Sequence, residues 1–276
     1  MEYKYRSGDV EKILGISVET LRFFENIGLI KPERDPNNNY RYYRHIDLNK
    51  IVAYKFYRGF EFTLDESLDI LVYKNEEVVD KLNEKAIEIK EKCEYYQNLL
   101  QRLLDLKESL EEGHKLYDFK IEDSPELLLY FNQTNDEFET DDIYLETTRK
   151  YLEFLPFVYL AVHIPEKDGK LVDDVHYGYA VNTMFTKVVE SLKNTMGKVY
   201  PSKKCIHTFV KVENNGPLSL ASLEPIFQFM EEKDLILDGD VVGWILNEEV
   251  LPDDIVRYFE LWIPIKEKNS KKVLTP

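Results

Sequence analysis

The chain has 276 residues, with 36 Lys and Arg against 52 Asp and Glu for a formal net charge of −16. That length holds two modest domains with sizeable cores. The chain lacks an apolar run of membrane-spanning length, and its charged N-terminus reads as helix rather than signal peptide, so neither a membrane nor a secreted protein is expected. Cys93 and Cys205 are the only cysteines, too few for a disulfide framework, so the cytoplasm is the expected location. Residues 1–60 carry +3, which leaves −19 for the rest of the chain. A mildly basic head on an acidic body fits a DNA-binding unit joined to one that avoids nucleic acid.

In chain order, residues 7–14 read as a short helix capped by Ser7, and Gly15-Ile16 as a turn. Ser17 is a second N-cap, because its hydroxyl can accept from a free N–H of the first helical turn. The helix that follows places Val18, Leu21, Phe24 and Ile27 on one apolar face. Its other face carries Glu19, Thr20, Arg22, Phe23 and Asn26. Gly28 ends it as a C′ glycine and Pro32 blocks continuation. The run Asp35-Pro36-Asn37-Asn38-Asn39 is a turn, and Tyr40-Arg41-Tyr42-Tyr43 the returning strand of a hairpin. Helix, glycine turn, helix is the helix-turn-helix arrangement, whose second helix enters the DNA major groove, and the hairpin adds a wing.

Over residues 3–72 the chain resembles the MerR family of transcription regulators. The matching residues are Thr20-Leu21-Arg22-Phe23-Phe24-Glu25, Gly28-Leu29-Ile30, Pro32, Arg34, Asn39-Tyr40-Arg41-Tyr42-Tyr43 and Asp47-Leu48. Phe23 and Phe24 stand where the family usually has tyrosines, and Asn39 where it often has glycine. The resemblance implies a DNA interface of Ser17, Thr20, Arg22 and Phe23 on the recognition helix, with Tyr40, Arg41, Tyr42 and Arg58 at the backbone. Arg22 is the candidate base reader, since a guanidinium pairs bidentately with guanine. Arg58 reads either as a phosphate contact or as a solvated charge at a helix C-terminus.

Residues 46–59 form a third helix, and Thr63 caps a fourth opened by Asp65 and Glu66. From Glu76 to Glu112 there is no Pro or Gly. Leu82, Ala86, Ile89, Cys93, Tyr96, Leu100 and Leu103 recur at spacings of four and three, a heptad seam that Leu110 extends past Lys107. Such a helix is about 50 Å long at 1.5 Å per residue and asks for a partner helix. The resemblance implies antiparallel pairing into a homodimer. Cys93 reads as a small apolar seam residue rather than a redox or metal ligand. Metal-sensing members of the family cluster cysteines near the end of this helix. This chain has none there, so no metal and no cofactor is expected.

Residues 113–123 read as a linker. Beyond it come a strand at 127–131, a helix at 141–155, strands at 157–162 and 176–181, then a strand at 204–210, a helix at 219–233 and strands at 240–246 and 258–265. Strand–helix–strand–strand twice is an internal repeat. It resembles the GyrI-like effector-binding domain, through Tyr200-Pro201 before the 204–210 strand, Gly216-Pro217 before the long helix, and Glu260-Leu261-Trp262-Ile263-Pro264-Ile265. The expected architecture is α+β. Residues 1–75 form a winged helix-turn-helix, 76–112 a dimerisation helix in an antiparallel coiled coil and 113–123 a linker. Residues 124–266 form a domain of two strand-helix-strand-strand repeats, and 267–276 a tail.

The second resemblance implies a ligand in the cleft between the repeats, lined by aromatics and often an acid. The candidates are Tyr144, Tyr151, Tyr177, Tyr179, Phe227, Trp244, Glu260 and Trp262, each of which also reads as core. Gly243 stands where the family commonly has a glutamate and Ser219 where a tyrosine is common. Gly243 with Trp244 could deepen the cleft, and Glu260 is either the acid of the site or a solvent-facing strand residue. The expected function is a ligand-responsive regulator of double-stranded promoter DNA that engages RNA polymerase indirectly. As an activator it would distort the promoter, and it would sense a small hydrophobic or aromatic molecule, cationic or neutral. The alternatives are a ligand-free structural or protein-contact module and, third, a small-molecule hydrolase. With no Ser/His/Asp or Cys/His constellation, no enzyme is expected.

Overall fold

The computed structural model describes residues 4–214, 216–252 and 254–268. The chain forms two compact units, residues 1–95 and 96–276.

In the first unit, β1 (Lys4–Arg6), α1 (Ser7–Leu14), α2 (Val18–Asn26), β2 (Glu33–Arg34), β3 (Arg41–Arg44), α3 (His45–Arg58) and α4 (Leu64–Asp69) follow in order. The strands form a sheet in the order β1-β3-β2. The N-cap of α1 is Arg6, whose N–H is accepted by Asp9 at 2.9 Å, so Ser7 lies one residue inside the helix. Ser17 caps α2 by accepting the Thr20 N–H at 3.2 Å. Gly28 follows α2 at φ 77°, and the Leu29 N–H returns to the Phe24 carbonyl at 3.0 Å. Thr63 and Glu66 form a reciprocal capping box on α4. Val10, Leu21, Phe24, Ile30, Tyr43 and Ile51 build one core, which fixes α2 against α1 and α3 and leaves its other face outward.

The long helix is α5 (Asn75–Glu112). The linker is shorter than expected. Residues 120–123 form β4 (Lys120–Asp123), an edge strand paired with β12 (Lys204–Val212). The second unit contains, in order, β5 (Leu127–Thr134), β6 (Glu137–Phe138), α6 (Asp142–Leu152), β7 (Val158–Ile164), the small hairpin β8 (Glu166–Lys167) and β9 (Lys170–Leu171), and β10 (His176–Asn182). Then come α7 (Thr186–Leu192), β11 (Lys198–Tyr200), β12, a 3₁₀ turn, α8 (Glu224–Glu232), β13 (Leu235–Leu237), β14 (Val241–Val250) and β15 (Ile255–Glu267). β15 thus takes the first residue of the expected tail; residues 269–276 lie outside the described residues.

One sheet runs β11-β5-β10-β7-β14-β15-β12-β4, with β6 on β5 and β13 on β15. The repeats are β5-α6-β7-β10 and β12-α8-β14-β15, and they join where β7 pairs with β14. One face packs under the helices: Ile226 and Met230 of α8 against Val210 and Phe259, and Tyr151, Val188 and Leu192 of α6 and α7 against Leu128 and Val181. The other face carries Leu127, Leu129, Tyr159, Ala161, Trp244 and Trp262. The Arg102 side chain of α5 lies over this second face, 4.0 Å from the Tyr159 ring centre.

Candidate functional site

The recognition helix follows from its caps and apolar face. Arg22 is exposed and makes no ion pair among the described residues, and Phe23 is exposed beside buried Phe24. Thr20 is half-buried, its hydroxyl 3.1 Å from that of Ser17. Tyr40 at the wing tip is exposed. The wing has a strut that the sequence reading missed. Glu25, on α2, accepts from Arg34 Nη2 and from Arg41 Nε, each at 2.8 Å. Burial pushes the Glu25 carboxyl up, but the two arginines outweigh it and hold the group below its ordinary value. Arg41 therefore has one nitrogen committed to positioning the wing. Tyr42 lies under the Arg6 guanidinium, and Arg58 Nη1 donates to the Phe62 carbonyl, tying the end of α3 to the next loop. The signal for the strut was present: an acid on a recognition helix followed by two wing arginines.

The structure divides the eight effector candidates. Tyr151, Tyr177 and Tyr179 lie on the helix-covered face, with Tyr151 fully buried against Tyr130. Burial pushes the Tyr151 phenol up to about 12. Phe227, on α8, lines a cavity of about 510 Å³ with Leu220, Met230 and Leu235. Trp244, Glu260 and Trp262 lie buried on the opposite face. Tyr144 lines a different cavity, so the eight do not form one site.

Two expectations are corrected on that opposite face. Glu260 is buried rather than solvent-facing. Its Oε2 accepts from Trp244 Nε1 and its Oε1 faces His207 Nε2, both at 3.0 Å. His207 Nδ1 faces Glu122 at 2.6 Å, and the ring stacks on Trp262 at 4.0 Å. Gly243 does not deepen a cleft: it points to the helix-covered side, where a Cβ would collide with the Glu260 carbonyl and the Leu261 side chain. Its role is close strand approach.

A cavity of about 430 Å³ lies at the first repeat. Leu129, Phe131, Tyr144, His163, Lys198 and Tyr200 line it, with Asp240. Phe131 stacks on His163 at 4.9 Å. His163 faces Asp240 through Nε2 at 3.1 Å and His176 through Nδ1 at 3.2 Å. Burial pushes His163 down, against the pull of Asp240, so the ring is neutral at pH 7. The sequence reading missed His163, Lys198, Tyr200 and Asp240. The alternation of Tyr159, Ala161 and His163 on one strand was their only local signal. Among the described residues no cluster of three or more His, Cys, Asp or Glu is placed to hold a metal ion, and no helix is long and apolar enough to cross a membrane.

The profile of the family described as MerR HTH family regulatory protein matches residues 5–73. The HTH-type transcriptional regulator CueR of Escherichia coli O6:H1 is 32% identical over 104 residues, which cover 36% of this chain and 77% of CueR. This chain belongs to the MerR family. A further MerR-type relative, the HTH-type transcriptional activator mta of Bacillus subtilis, is 33% identical over 72 residues, 26% of this chain and 28% of that one. Among solved structures, the EcmrR–DNA complex in EcmrR-RPo spans 95% of this chain and 100% of its own at 17% identity and a TM-score of 0.40, a likeness too distant to bear on function. The chain is thus a DNA-binding MerR-type regulator with an additional C-terminal domain.

Proposed function

We propose that the protein acts as a homodimer paired through α5, binds a pseudo-palindromic promoter with two recognition helices, and adjusts transcription in response to a small molecule held by its C-terminal domain. The observation that carries the pairing is the seam of α5. Tyr96, Leu100 and Leu103 are 64%, 59% and 60% exposed, and Leu82, Ala86 and Cys93 are exposed with them, while Ile89 is half-buried. A strip of large apolar side chains at heptad spacing is a surface made for a second helix.

In each head Arg34 and Arg41 are shared with Glu25, which leaves them less available to the DNA. Specificity then rests on Arg22 and, in part, on the cost of deforming the DNA. This reading favours an activator that bends and untwists its promoter, engaging RNA polymerase through DNA geometry. The 430 Å³ cavity is of a size that suits a small effector. No catalytic step is assigned: burial pushes the Cys205 thiol up to about 11, which makes it a poor nucleophile. A second reading, a ligand-free contact module, has one observation in its favour. The Trp244–Glu260–Trp262 face is already filled by its own side chains.

The pairing is tested by replacing Leu100 and Leu103 together with Glu. Sedimentation of the variant should give monomers with wild-type helical content and lowered affinity for two-half-site DNA. A variant that stays dimeric refutes the seam.

A further inference from the structure

The cavity at the first repeat has a particular balance of charge. β11 pairs with β5 in a register that sets Lys198 opposite Leu129 and Tyr200 opposite Leu127. Opposed residues point to the same face, so Lys198 and Tyr200 stand beside Leu129 and Phe131 on the face away from the helices. Lys198 is exposed at the cavity wall and pairs with no carboxylate among the described residues. The acids nearby are already engaged. Asp240 Oδ1 accepts the Glu166 N–H at 2.8 Å, and its Oδ2 accepts from His163. On the second repeat, both oxygens of Glu260 face protein donors. A cationic guest would have to share oxygens that protein donors already hold, whereas an anionic guest would find an ammonium with no hydrogen bond or ion pair among the described residues.

The rest of the wall suits a flat, unsaturated body. The rings of Phe131, Tyr144 and Tyr200 border the space, and Leu129 and Met196 line it with them. Aromatic groups stack or meet edge to face with further gain beyond burial.

The structure assigns this cavity to an aromatic acid: a planar aromatic body carrying a carboxylate or comparable anion that lands on Lys198. The assignment rests on the reading that the C-terminal domain holds an effector, and it names the ligand class. Tyr200 has its hydroxyl committed to the Asp240 carbonyl, so it serves as a fixed ring rather than a donor to the ligand.

The test is calorimetric titration of the full-length protein with three probes of one shape: naphthalene-2-carboxylate, neutral 2-acetylnaphthalene, and trimethyl(2-naphthyl)ammonium. The carboxylate should bind most tightly. Lys198→Met should weaken it about tenfold or more, the effect of losing a charge-assisted contact, and Lys198→Arg should retain it. Lys198 is exposed, so both variants should melt with the wild type when unliganded. Tightest binding by the ammonium, equal binding by the neutral ketone, or a carboxylate affinity indifferent to Lys198→Met would overturn the aromatic-acid assignment while leaving an effector domain. No heat from any of the three at millimolar concentration would overturn the assignment and count against the effector reading as well.

Discussion

Replacing His207 with Leu should cost more than replacing His207 and Glu260 together. His207 is 6% exposed and lies between two carboxylates, Glu260 at 3.0 Å and Glu122 at 2.6 Å. With both nitrogens facing carboxylate oxygens, the ring is the partner that the two carboxyl groups share. Leucine removes that partner and leaves the Glu260 carboxyl group, 4% exposed, with Trp244 Nε1 as its remaining donor. Removing one member of a buried ion pair costs about 3–5 kcal/mol, because the other charge stays buried. For a domain of this size about 2–4 °C of Tm is lost per kcal/mol, so the transition should fall by roughly 6–20 °C. The double variant His207→Leu/Glu260→Leu buries no charge. Its main cost is the orphaned Trp244 N–H, about 1–3 kcal/mol, while Glu122, half exposed, returns to water. Both tryptophans of the chain, Trp244 and Trp262, belong to this domain, so tryptophan fluorescence during urea or thermal unfolding reports on it alone. A double variant less stable than His207→Leu, or a single variant within 1 kcal/mol of wild type, would show that the pair is not held as a buried charge network.

Arg22→Ala should lower discrimination between cognate and scrambled DNA by about 1–3 kcal/mol in a competition binding assay, and an unchanged ratio would remove its base-reading role. The Glu25 strut should respond to acid. Its carboxyl is held below the ordinary 4.5 by Arg41 and Arg34 acting against burial, so its stabilisation is complete above the unfolded value and is lost as pH falls through the lower folded one. Glu25→Gln should therefore melt below wild type at pH 7, and the gap should close as pH falls below 4.5 through the lower folded value. A gap that persists once the carboxyl is protonated would assign the strut's effect to packing.

What was legible in the sequence was local. Ser17, Gly28 and Thr63 each act through the backbone of their own helix turn, so residue type and position suffice. Ser7 missed the cap by one residue because Asp9 closes the turn onto the Arg6 N–H instead. The two repeats were legible because each helix is flanked by β-rich runs. The strand at Lys120–Asp123 was not: an edge strand of sequence KIED has no apolar alternation, and only its pairing with β12 defines it. α7 and β11 were missed for the same reason. Each is short, and each is held by tertiary contact, Leu192 in the core and Lys198–Tyr200 on β5.

The candidate site shows where such reading stops. A list of aromatics on strands and helices does not say which face each one joins, and here a shift of one residue decides it. Gly243 lies on the helix side and Trp244 on the other, so the pair that reads as a deepened cleft is a close strand crossing beside a filled surface. Glu260 follows the same logic. Between Phe259 and Leu261 it alternates as a solvent-facing acid would, but the face it points to is occupied by His207, Trp244 and Trp262. Those partners lie 53, 16 and 2 positions away in the chain, and the first two are brought to it only by β12 and β14 pairing on either side of β15. An acid whose oxygens are held by donors of its own fold offers a ligand fewer free acceptor positions, so the recognising groups of this domain are sought where the fold leaves a charged group without a partner. On the face away from the helices, that condition is met at the cavity wall by Lys198.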